Sequence, residues 1–196
     1  HEHPTKALKE KQDSSIAVGF HLLATGKADA FISAGNTGAM MVGALFTIKA
    51  IEGVLRPTIG AYIPREDGSL GLLADVGLNA DCKPEHLQQF AILGSVYAQA
   101  VQKIENPQVG LLNIGEEDEK GSINSRAANQ LLRNTPDINF FGNIEGRDIF
   151  NDTPEVVVCD GFTGNVVIKL VEGFYYHLMN HGLLIHFRYL EEHFWL

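Results

Sequence analysis

The sequence has few cysteines, no excess of basic residues and no long apolar run. Its two cysteines, Cys82 and Cys159, lie far apart and in no spacing typical of a metal site, which argues against a disulfide and favours a reduced compartment. No apolar run approaches the roughly 20 residues that a membrane-spanning helix needs. The sequence therefore predicts a cytoplasmic protein, with at most peripheral contact with the inner face of the membrane.

Positive charge is also scarce. Asp and Glu number 24 against 15 Lys and Arg, and the net charge of −9 leaves no basic stripe that could displace counterions from a nucleic acid. We therefore expect no nucleic-acid partner. An anionic ligand would have to be attracted locally, by helix N-termini and a few placed cations, against an unfavourable overall field.

Three common catalytic motifs are missing. No Gly-x-x-x-x-Gly-Lys-Ser/Thr loop, no Gly-x-Gly-x-x-Gly after the first predicted strand and no Gly-x-Ser-x-Gly elbow occurs. An ATP-binding P-loop, a standard dinucleotide fold and a serine hydrolase therefore have no direct support. The eight histidines are scattered, which favours surface or packing roles over a metal site. We expect no metal and no cofactor.

Strand-like and helix-like segments alternate along the chain, and 45 % of its residues are hydrophobic, enough for a substantial core. We expect a single α/β domain over residues 1–196, with a mainly parallel sheet, helices on both faces and one hairpin. Ligands bind beyond the carboxyl ends of such strands. The predicted strands are 28–33, 58–63, 70–75, 109–114, 138–142 and 155–159, and the predicted helices are 14–26, 39–52, 84–105, 122–133 and 166–172.

Two of the predicted strand-to-helix loops share the same small residues. Residues 34–38 and 160–165 each combine Gly, Thr and Asn before a helix. Backbone N–H groups and a side-chain amide at a helix N-terminus can bind phosphate or an oxyanion. Either loop alone could be an ordinary connection, but the repetition favours an anion site.

A third loop carries the acidic run Glu116–Glu119 followed by Lys120. The carboxylates could hold Mg²⁺ or simply be solvated, and Lys120 could be a surface charge. Because Lys120 lies in a strand-to-helix loop at the ligand-binding edge, phosphate contact is the more specific hypothesis. Cys159 could be a nucleophile, but it ends an apolar run with no nearby His, which favours a buried structural thiol.

Five strings along the chain resemble one family. They are SAGNTGA (33–39), ADVGLNADCKPEHLQQFAILGS (74–95), GLLNIGEEDEKG (110–121), FGNIEGRDIF (141–150) and VVVCDGFTGNVVIK (156–169). On these strings, over about residues 12–180, the chain resembles the bacterial phosphate acyltransferase family (PlsX). The resemblance implies an enzyme that forms acyl phosphate from acyl-acyl carrier protein and inorganic phosphate, in phospholipid biosynthesis. It also implies a membrane glycerol-3-phosphate acyltransferase downstream.

The resemblance implies a fold, an assembly and site residues. The family fold is similar to that of the isocitrate and isopropylmalate dehydrogenases and of phosphotransacetylase, and the family's homodimers have their cleft near the subunit interface. Lys120 and Asn165 look like the essential catalytic pair. The expected ligand-binding residues are Asn36, Thr37, Gly38, Thr163 and Gly164, with Asp75 and Asn79 as weaker candidates.

The sequence departs from the family pattern in three places. It lacks the family's N-terminal strand, with an Asp-x-Met-Gly-Gly-Asp motif, and part of the C-terminal region, so a fragment is expected. The aromatic tail 182–196 does not match the family well, and Leu78 stands where small residues are usual.

The chemistry of such a transfer fits the residues that are present. Phosphate is already anionic at neutral pH and needs no general base, and a thiolate whose parent thiol has a pKa of about 8.5 leaves with little acid assistance. Orientation and charge stabilisation by amides, glycines and one lysine are then sufficient.

Two other functions stay open from the sequence. One is a metal-dependent decarboxylating dehydrogenase of the related fold, which a titration with a nicotinamide cofactor would detect. The other is a non-catalytic protein that binds an acyl phosphate or a carrier protein. Absence of turnover by the purified full-length protein would favour that second function.

Overall fold

The structure is a computed structural model that describes residues 4–151 and 153–180. The chain divides into two compact units, residues 1–57 and 58–196. The single domain expected for the whole chain stays a prediction, and the aromatic tail 182–196 lies outside the described residues. None of the helices in the described ranges has the length and apolar character needed to cross a membrane.

The first unit contains three described helices, α1 (Pro4–Glu10), α2 (Ser15–Ala24) and α3 (Thr37–Thr47). Both α1 and α2 pack against α3. The Ser14 hydroxyl caps α2 by accepting the N–H of Ala17 at 3.3 Å, which satisfies one of the free donors of the first turn. Phe20 is buried, and its ring meets that of Phe31 edge to face, with 5.4 Å between the centroids.

Two predictions in this unit are wrong. Residues 28–33 form no strand, and Ile32 is 94 % exposed. A β-strand needs a neighbour to pair its backbone groups, and no described strand pairs with this segment, so strand propensity alone does not form one. In addition, α3 ends at Thr47 rather than at residue 52, because Lys49 adopts a left-handed φ of 72° that a helix cannot continue through.

The second unit contains a five-stranded sheet, which confirms the predicted mainly parallel sheet with one hairpin. The strand order is β1-β2-β5-β3-β4, with β1 antiparallel to β2 and all other neighbours parallel. Strand β5 is central, and its three valines are fully or almost fully buried, as expected for a strand covered on both faces. The strands are β1 (Gly60–Pro64), β2 (Leu70–Ala74), β3 (Gln108–Leu112), β4 (Asn139–Ile144) and β5 (Val156–Val158).

Helices cover both faces of this sheet, as predicted. On one face, α4 (Pro84–Tyr97) and α5 (Ile123–Arg133) pack through buried residues such as Phe90 and Leu132. A π-helical turn, Ala98–Gln102, continues α4. On the other face, α6 (Gly161–Asn180) packs through partly buried residues on its second turn, and a 3₁₀ helix, Gly146–Phe150, packs through Ile149. Full burial of one large apolar side chain stabilises the fold by about 1.5–3 kcal/mol.

Helix α6 begins earlier than predicted. Its first helical residue is Gly161, whereas the sequence predicted a small-residue loop up to Asn165 and a helix from residue 166. The Asp160 carboxylate accepts the N–H of Thr163 at 2.7 Å and therefore acts as the N-cap. Asn165 lies one turn inside the helix and is not its cap.

Two glycines allow the first turn of α6 to touch the loop that follows β2. A Cβ atom at Gly161 would lie 2.8 Å from the backbone N of Asn79 and 2.9 Å from its O. A Cβ atom at Gly164 would overlap the backbone carbonyl of Asp75. Because backbone atoms cannot move away as a flexible side chain can, both positions require glycine for this close approach.

We predict that Gly164→Ala destabilises the protein by about 1–3 kcal/mol, because the added methyl group forces α6 away from the Asp75 carbonyl. Chemical denaturation measures the change. Gly173→Ala is the matched control in the same helix, since a Cβ there meets nothing within 4 Å. It should leave stability unchanged or raise it by up to about 1 kcal/mol. Equal stability of the two variants would contradict the prediction.

Candidate active site

Three loops of the second unit lie at the carboxyl edge of its parallel strands. They are the β2–α4 loop (75–83), the β3–α5 loop (113–122) and the β5–α6 junction (159–160). Strand β5 lies between β2 and β3 in the sheet, so the three loops follow adjacent strands. This is the edge where ligands bind in such sheets, and it carries both Lys120 and Asn165.

The β2–α4 loop is organised around the carboxylate of Asp75, which is fully buried. Its Oδ1 accepts the backbone N–H groups of Ile59 at 3.3 Å, Gly77 at 3.2 Å and Leu78 at 3.2 Å. Its Oδ2 accepts the backbone N–H of Asn79 and the side-chain N–H of the same residue, both at 2.7 Å. Five donors therefore surround one carboxylate, which satisfies the charge without a cation.

The start of α6 is attached to this loop by two hydrogen bonds. The N–H of Gly161 donates to the carbonyl of Asn79 at 2.7 Å. The exposed side chain of Asn165 donates through Nδ2 to the carbonyl of Val76 at 3.3 Å. The structure thus brings Asp75, Asn79 and Asn165 together, as residues of one hydrogen-bonded assembly.

The donors at the N-terminus of α6 are less available than the sequence suggested. The N–H of Gly161 is used by Asn79, and the N–H of Thr163 is used by the Asp160 carboxylate. The expectation that these groups are free for an anion is therefore wrong for these two. Buried Gly164 supplies close packing, and the ligand-binding roles expected of Thr163 and Gly164 stay predictions.

Lys120 lies on the β3–α5 loop with an exposed side chain. Its Nζ is 3.9 Å from Glu117 Oε1, and both side chains are more than half exposed. Its backbone is held on both sides, because the N–H donates to the Glu117 carbonyl at 3.0 Å and the carbonyl accepts from Asn113 Nδ2 at 3.1 Å. The loop is therefore fixed while the ammonium group remains accessible to a ligand.

A pair of buried amides supports the Lys120 loop, and sequence reasoning missed it. Asn129 Nδ2 donates to Asn143 Oδ1 at 2.9 Å, and Asn143 Nδ2 donates to the Glu117 carbonyl at 2.7 Å. That same carbonyl accepts the N–H of Lys120. The only signal in the sequence was an amide inside the FGNIEGRDIF string, directly after the strand predicted over 138–142.

The β2–α4 and β3–α5 loops also touch each other. Asn124, on the first turn of α5, donates through Nδ2 to the carbonyl of Cys82 at 3.2 Å. The β2–α4 loop therefore contacts both the segment that carries Asn165 and the segment that follows Lys120.

Three of the four carboxylates of the acidic run pair with nearby cations. Glu116 lies 3.7 Å from Arg147, Glu117 lies near Lys120, and Asp118 forms an ion pair with Arg133. Among the described residues, no group of three or more His, Cys, Asp or Glu side chains is arranged to hold a metal ion.

The residues expected in the first unit occupy the start of α3. The side chain of Asn36 caps this helix by accepting the N–H of Ala39 at 3.0 Å, and Thr37 and Gly38 form its first turn. Capping explains the choice of Asn at this position. The role of these three residues in ligand binding stays a prediction.

Cys159 is a buried free thiol, which confirms the structural assignment. Burial raises the pKa of this thiol well above its ordinary value, and the negative charges of Asp160 and Asp75 raise it further. Its Sγ donates to the Asp75 carbonyl at 3.5 Å. The thiol therefore stays protonated at neutral pH, where a nucleophile would need to be a thiolate.

Comparison with known proteins identifies close relatives. The family model described as "Fatty acid synthesis protein" matches residues 1–181. The phosphate acyltransferase of Endomicrobium trichonymphae is 53 % identical over 172 residues, which are 88 % of this chain and 50 % of that protein. The phosphate acyltransferase of Acetivibrio thermocellus is 52 % identical over 185 residues, 93 % of this chain and 54 % of its own. The chain spans about half the length of the curated relatives it matches.

Solved structures show the same fold at low identity. A phosphotransacetylase from Streptococcus pyogenes is similar with a TM-score of 0.63 and 20 % identity, over 80 % of this chain and 54 % of its own. A branched-chain phosphotransacylase from Enterococcus faecalis V583 has a TM-score of 0.57 and 18 % identity, over 80 % of this chain and 64 % of its own. The predicted likeness to phosphotransacetylase is confirmed for the fold, and the likeness to the isocitrate and isopropylmalate dehydrogenases stays a prediction.

We predict that Cys159 resists alkylation in the folded protein. At pH 8, iodoacetamide should modify it at least about 100-fold more slowly than in the denatured chain, because burial and a raised pKa both suppress the thiolate. Mass spectrometry of the peptide that contains Cys159 measures the rate. Modification at comparable rates in the two states would contradict the prediction.

Proposed function

The chain belongs to the phosphate acyltransferase family, and on that basis we propose that it transfers the acyl group of acyl-acyl carrier protein to inorganic phosphate. The observation that carries the proposal is the position of Lys120 and Asn165 after the adjacent parallel strands β3 and β5, in a chain about 50 % identical to phosphate acyltransferases. The product is an acyl phosphate.

The proposed reaction is a substitution at the thioester carbonyl. A phosphate oxygen attacks the carbonyl carbon and forms a tetrahedral oxyanion. The carbon–sulfur bond then breaks, and the carrier-protein thiolate leaves and takes a proton from water. Since the attacking phosphate is already an anion, the protein has to bind it, align it and stabilise the oxyanion.

Lys120 is suited to binding the phosphate. Its ammonium group offers three donors on a flexible stem. The exposed ion pair with Glu117, at 3.9 Å, stabilises this position of the Lys120 side chain by about 0–1 kcal/mol. An incoming phosphate can therefore draw the ammonium group away from Glu117 at little cost.

Asn165 is suited to stabilising the oxyanion. Its side-chain amide has two N–H donors, and the hydrogen bond to the Val76 carbonyl uses one of them. The second is left for a ligand. The N-terminus of α5 also lies at this edge and adds local positive potential, which offsets part of the net charge of −9.

The proposal extends to partners and location. Acyl carrier protein delivers the acyl group, inorganic phosphate accepts it, and a membrane glycerol-3-phosphate acyltransferase consumes the product in phospholipid biosynthesis. The protein acts as a homodimer in the cytoplasm, with peripheral contact at the inner face of the membrane. The resemblance to the phosphate acyltransferase family supports these assignments.

The decisive experiment follows the free thiol of the carrier protein. The full-length protein is incubated with acyl-acyl carrier protein, with and without inorganic phosphate, and thiol release is measured together with acyl phosphate. Phosphate-dependent release supports the proposal. A folded protein that releases no thiol in the presence of phosphate overturns it.

We predict that Lys120→Ala lowers phosphate-dependent turnover by about 10²–10³-fold, because it removes a charged contact with the reacting anion. The circular dichroism spectrum should be unchanged, since the side chain is exposed. Lys169→Ala is the matched control, because Lys169 is also exposed and also paired with a glutamate three residues away. Near wild-type turnover of Lys120→Ala would remove Lys120 from the site.

We also predict that Asn165→Asp loses two or more orders of magnitude in rate while its melting temperature stays near that of the wild type. The cap of α6 is Asp160, so the substitution leaves the cap intact. It removes one exposed hydrogen bond to the Val76 carbonyl and replaces a donor by a negative acceptor facing anions. Asn134→Asp is the control, because that exposed amide also donates to a backbone carbonyl, that of Gln130. Normal turnover by Asn165→Asp would show that the amide does not act on the substrate.

A further inference from the structure

We propose that Asp75 is a positioning residue that aims the side-chain amide of Asn165 through the β2–α4 loop. This inference rests on the proposed function of Asn165. It replaces the role expected of Asp75 from the sequence, which was direct contact with the ligand.

The Asp75 carboxylate is committed to protein groups. It is fully buried, and five N–H donors from four residues occupy its two oxygens. An ion with this many internal partners has little capacity left for a substrate, and a second anion beside it would be repelled. Its contribution to the site has to be indirect.

The indirect path runs through the peptide unit between Val76 and Gly77. The N–H of Gly77 donates to Asp75 Oδ1 at 3.2 Å, and the carbonyl of Val76 accepts from Asn165 Nδ2 at 3.3 Å. In a planar trans peptide the N–H and C=O groups point in opposite directions. Because the Asp75 carboxylate accepts the N–H of Gly77, the Val76 carbonyl on the other side of the peptide unit points towards the Asn165 amide.

Gly77 lies so close to the Asn165 amide that a larger residue at position 77 would disturb the hydrogen bond. It has a φ of 135°, and a Cβ there would lie 2.8 Å from Asn165 Nδ2. A methyl group at position 77 would therefore displace the amide, and the positive φ adds backbone strain in the same loop. Because Gly77 is exposed, that displacement does not require repacking of the core.

A misdirected amide has a specific kinetic signature. The amide is proposed to bind the oxyanion, which exists only along the reaction path, whereas phosphate in the ground state is bound by Lys120. If the Asn165 amide is no longer oriented towards the oxyanion, kcat should fall and the KM for phosphate should stay nearly unchanged. Partial unfolding would also lower the apparent kcat without changing KM, so kcat is referred to the folded fraction of each variant.

The test is a double-mutant cycle with Asp75→Asn, Asn165→Ala and the combined variant. Asp75→Asn should lower kcat at least tenfold, with the KM for phosphate within about twofold of wild type. In the Asn165→Ala background the same change should lower kcat by less than twofold, because the group through which it acts is gone. Equal effects in both backgrounds would overturn the proposal.

A second variant covers the case in which Asp75→Asn does not fold. Gly77→Ala leaves the carboxylate in place and should lower kcat at least fivefold, again only while Asn165 is present. The stability control is Thr135→Val, which removes two partly buried hydrogen bonds of the Thr135 hydroxyl, one from Gln88 and one to the Leu131 carbonyl. It should lower the melting temperature without changing kcat. Unchanged kcat in Gly77→Ala would overturn the proposal.

A structural readout separates this inference from the proposed function. In ¹⁵N-labelled protein, the side-chain NH₂ signal of Asn165, assigned by its absence in Asn165→Ala, should shift in Gly77→Ala and stay in place in Thr135→Val. A wild-type protein without phosphate-dependent turnover would overturn the proposed function, while the NH₂ signal would still report on the positioning. A signal that does not move in Gly77→Ala would overturn the positioning itself.

Discussion

The close backbone contact between α6 and the β2–α4 loop is the constraint on which the carboxyl edge of the sheet depends. Gly161 and Gly164 have no side chain that could keep the helix away from Asn79 and Asp75. The contact allows the Asn79 carbonyl to receive the first N–H of the helix. It also sets the distance at which Asn165, one turn later, meets the loop. A side chain at either position would push the helix, and Asn165 with it, away from the Val76 carbonyl.

Buried polar groups fix the geometry on both sides of that contact. The Asp75 carboxylate accepts hydrogen bonds from the backbone of the β2–α4 loop. The amide pair of Asn129 and Asn143 binds the Glu117 carbonyl, which also accepts the N–H of Lys120. An unsatisfied buried polar group costs about 1–3 kcal/mol, so each arrangement is favoured over any loop position that breaks its hydrogen bonds. The exposed groups proposed to act on substrate are thus carried by loops whose own backbones have little freedom.

The sequence alone determined the parts of the fold that follow from local patterns. The hairpin around Asp67 and Gly68, the buried β5 run and the helix that begins at Pro84 all appear where turn chemistry, apolar runs and capping placed them. The five family strings also identified the family before any geometry was known. The order of a strand followed by a helix after residue 155 was also predicted correctly, because a continuous apolar run and an α/β alternation leave few other arrangements. The helix, predicted over 166–172, extends over Gly161–Asn180.

Only the tertiary structure determined which segments pair and pack with one another. The segment 28–33 has the residues of a strand, but a strand exists only where another strand pairs with it, and that is not a local property. The same holds for the site: sequence could not show that Asp160, rather than Asn165, caps α6, or that Asp75 turns its carboxylate inward to five donors. Hydrogen-bond partners that are distant in sequence are chosen by packing. The sequence therefore identified the polar residues of the site. The fold determined which of them hold the loops in place through hydrogen bonds and which face solvent.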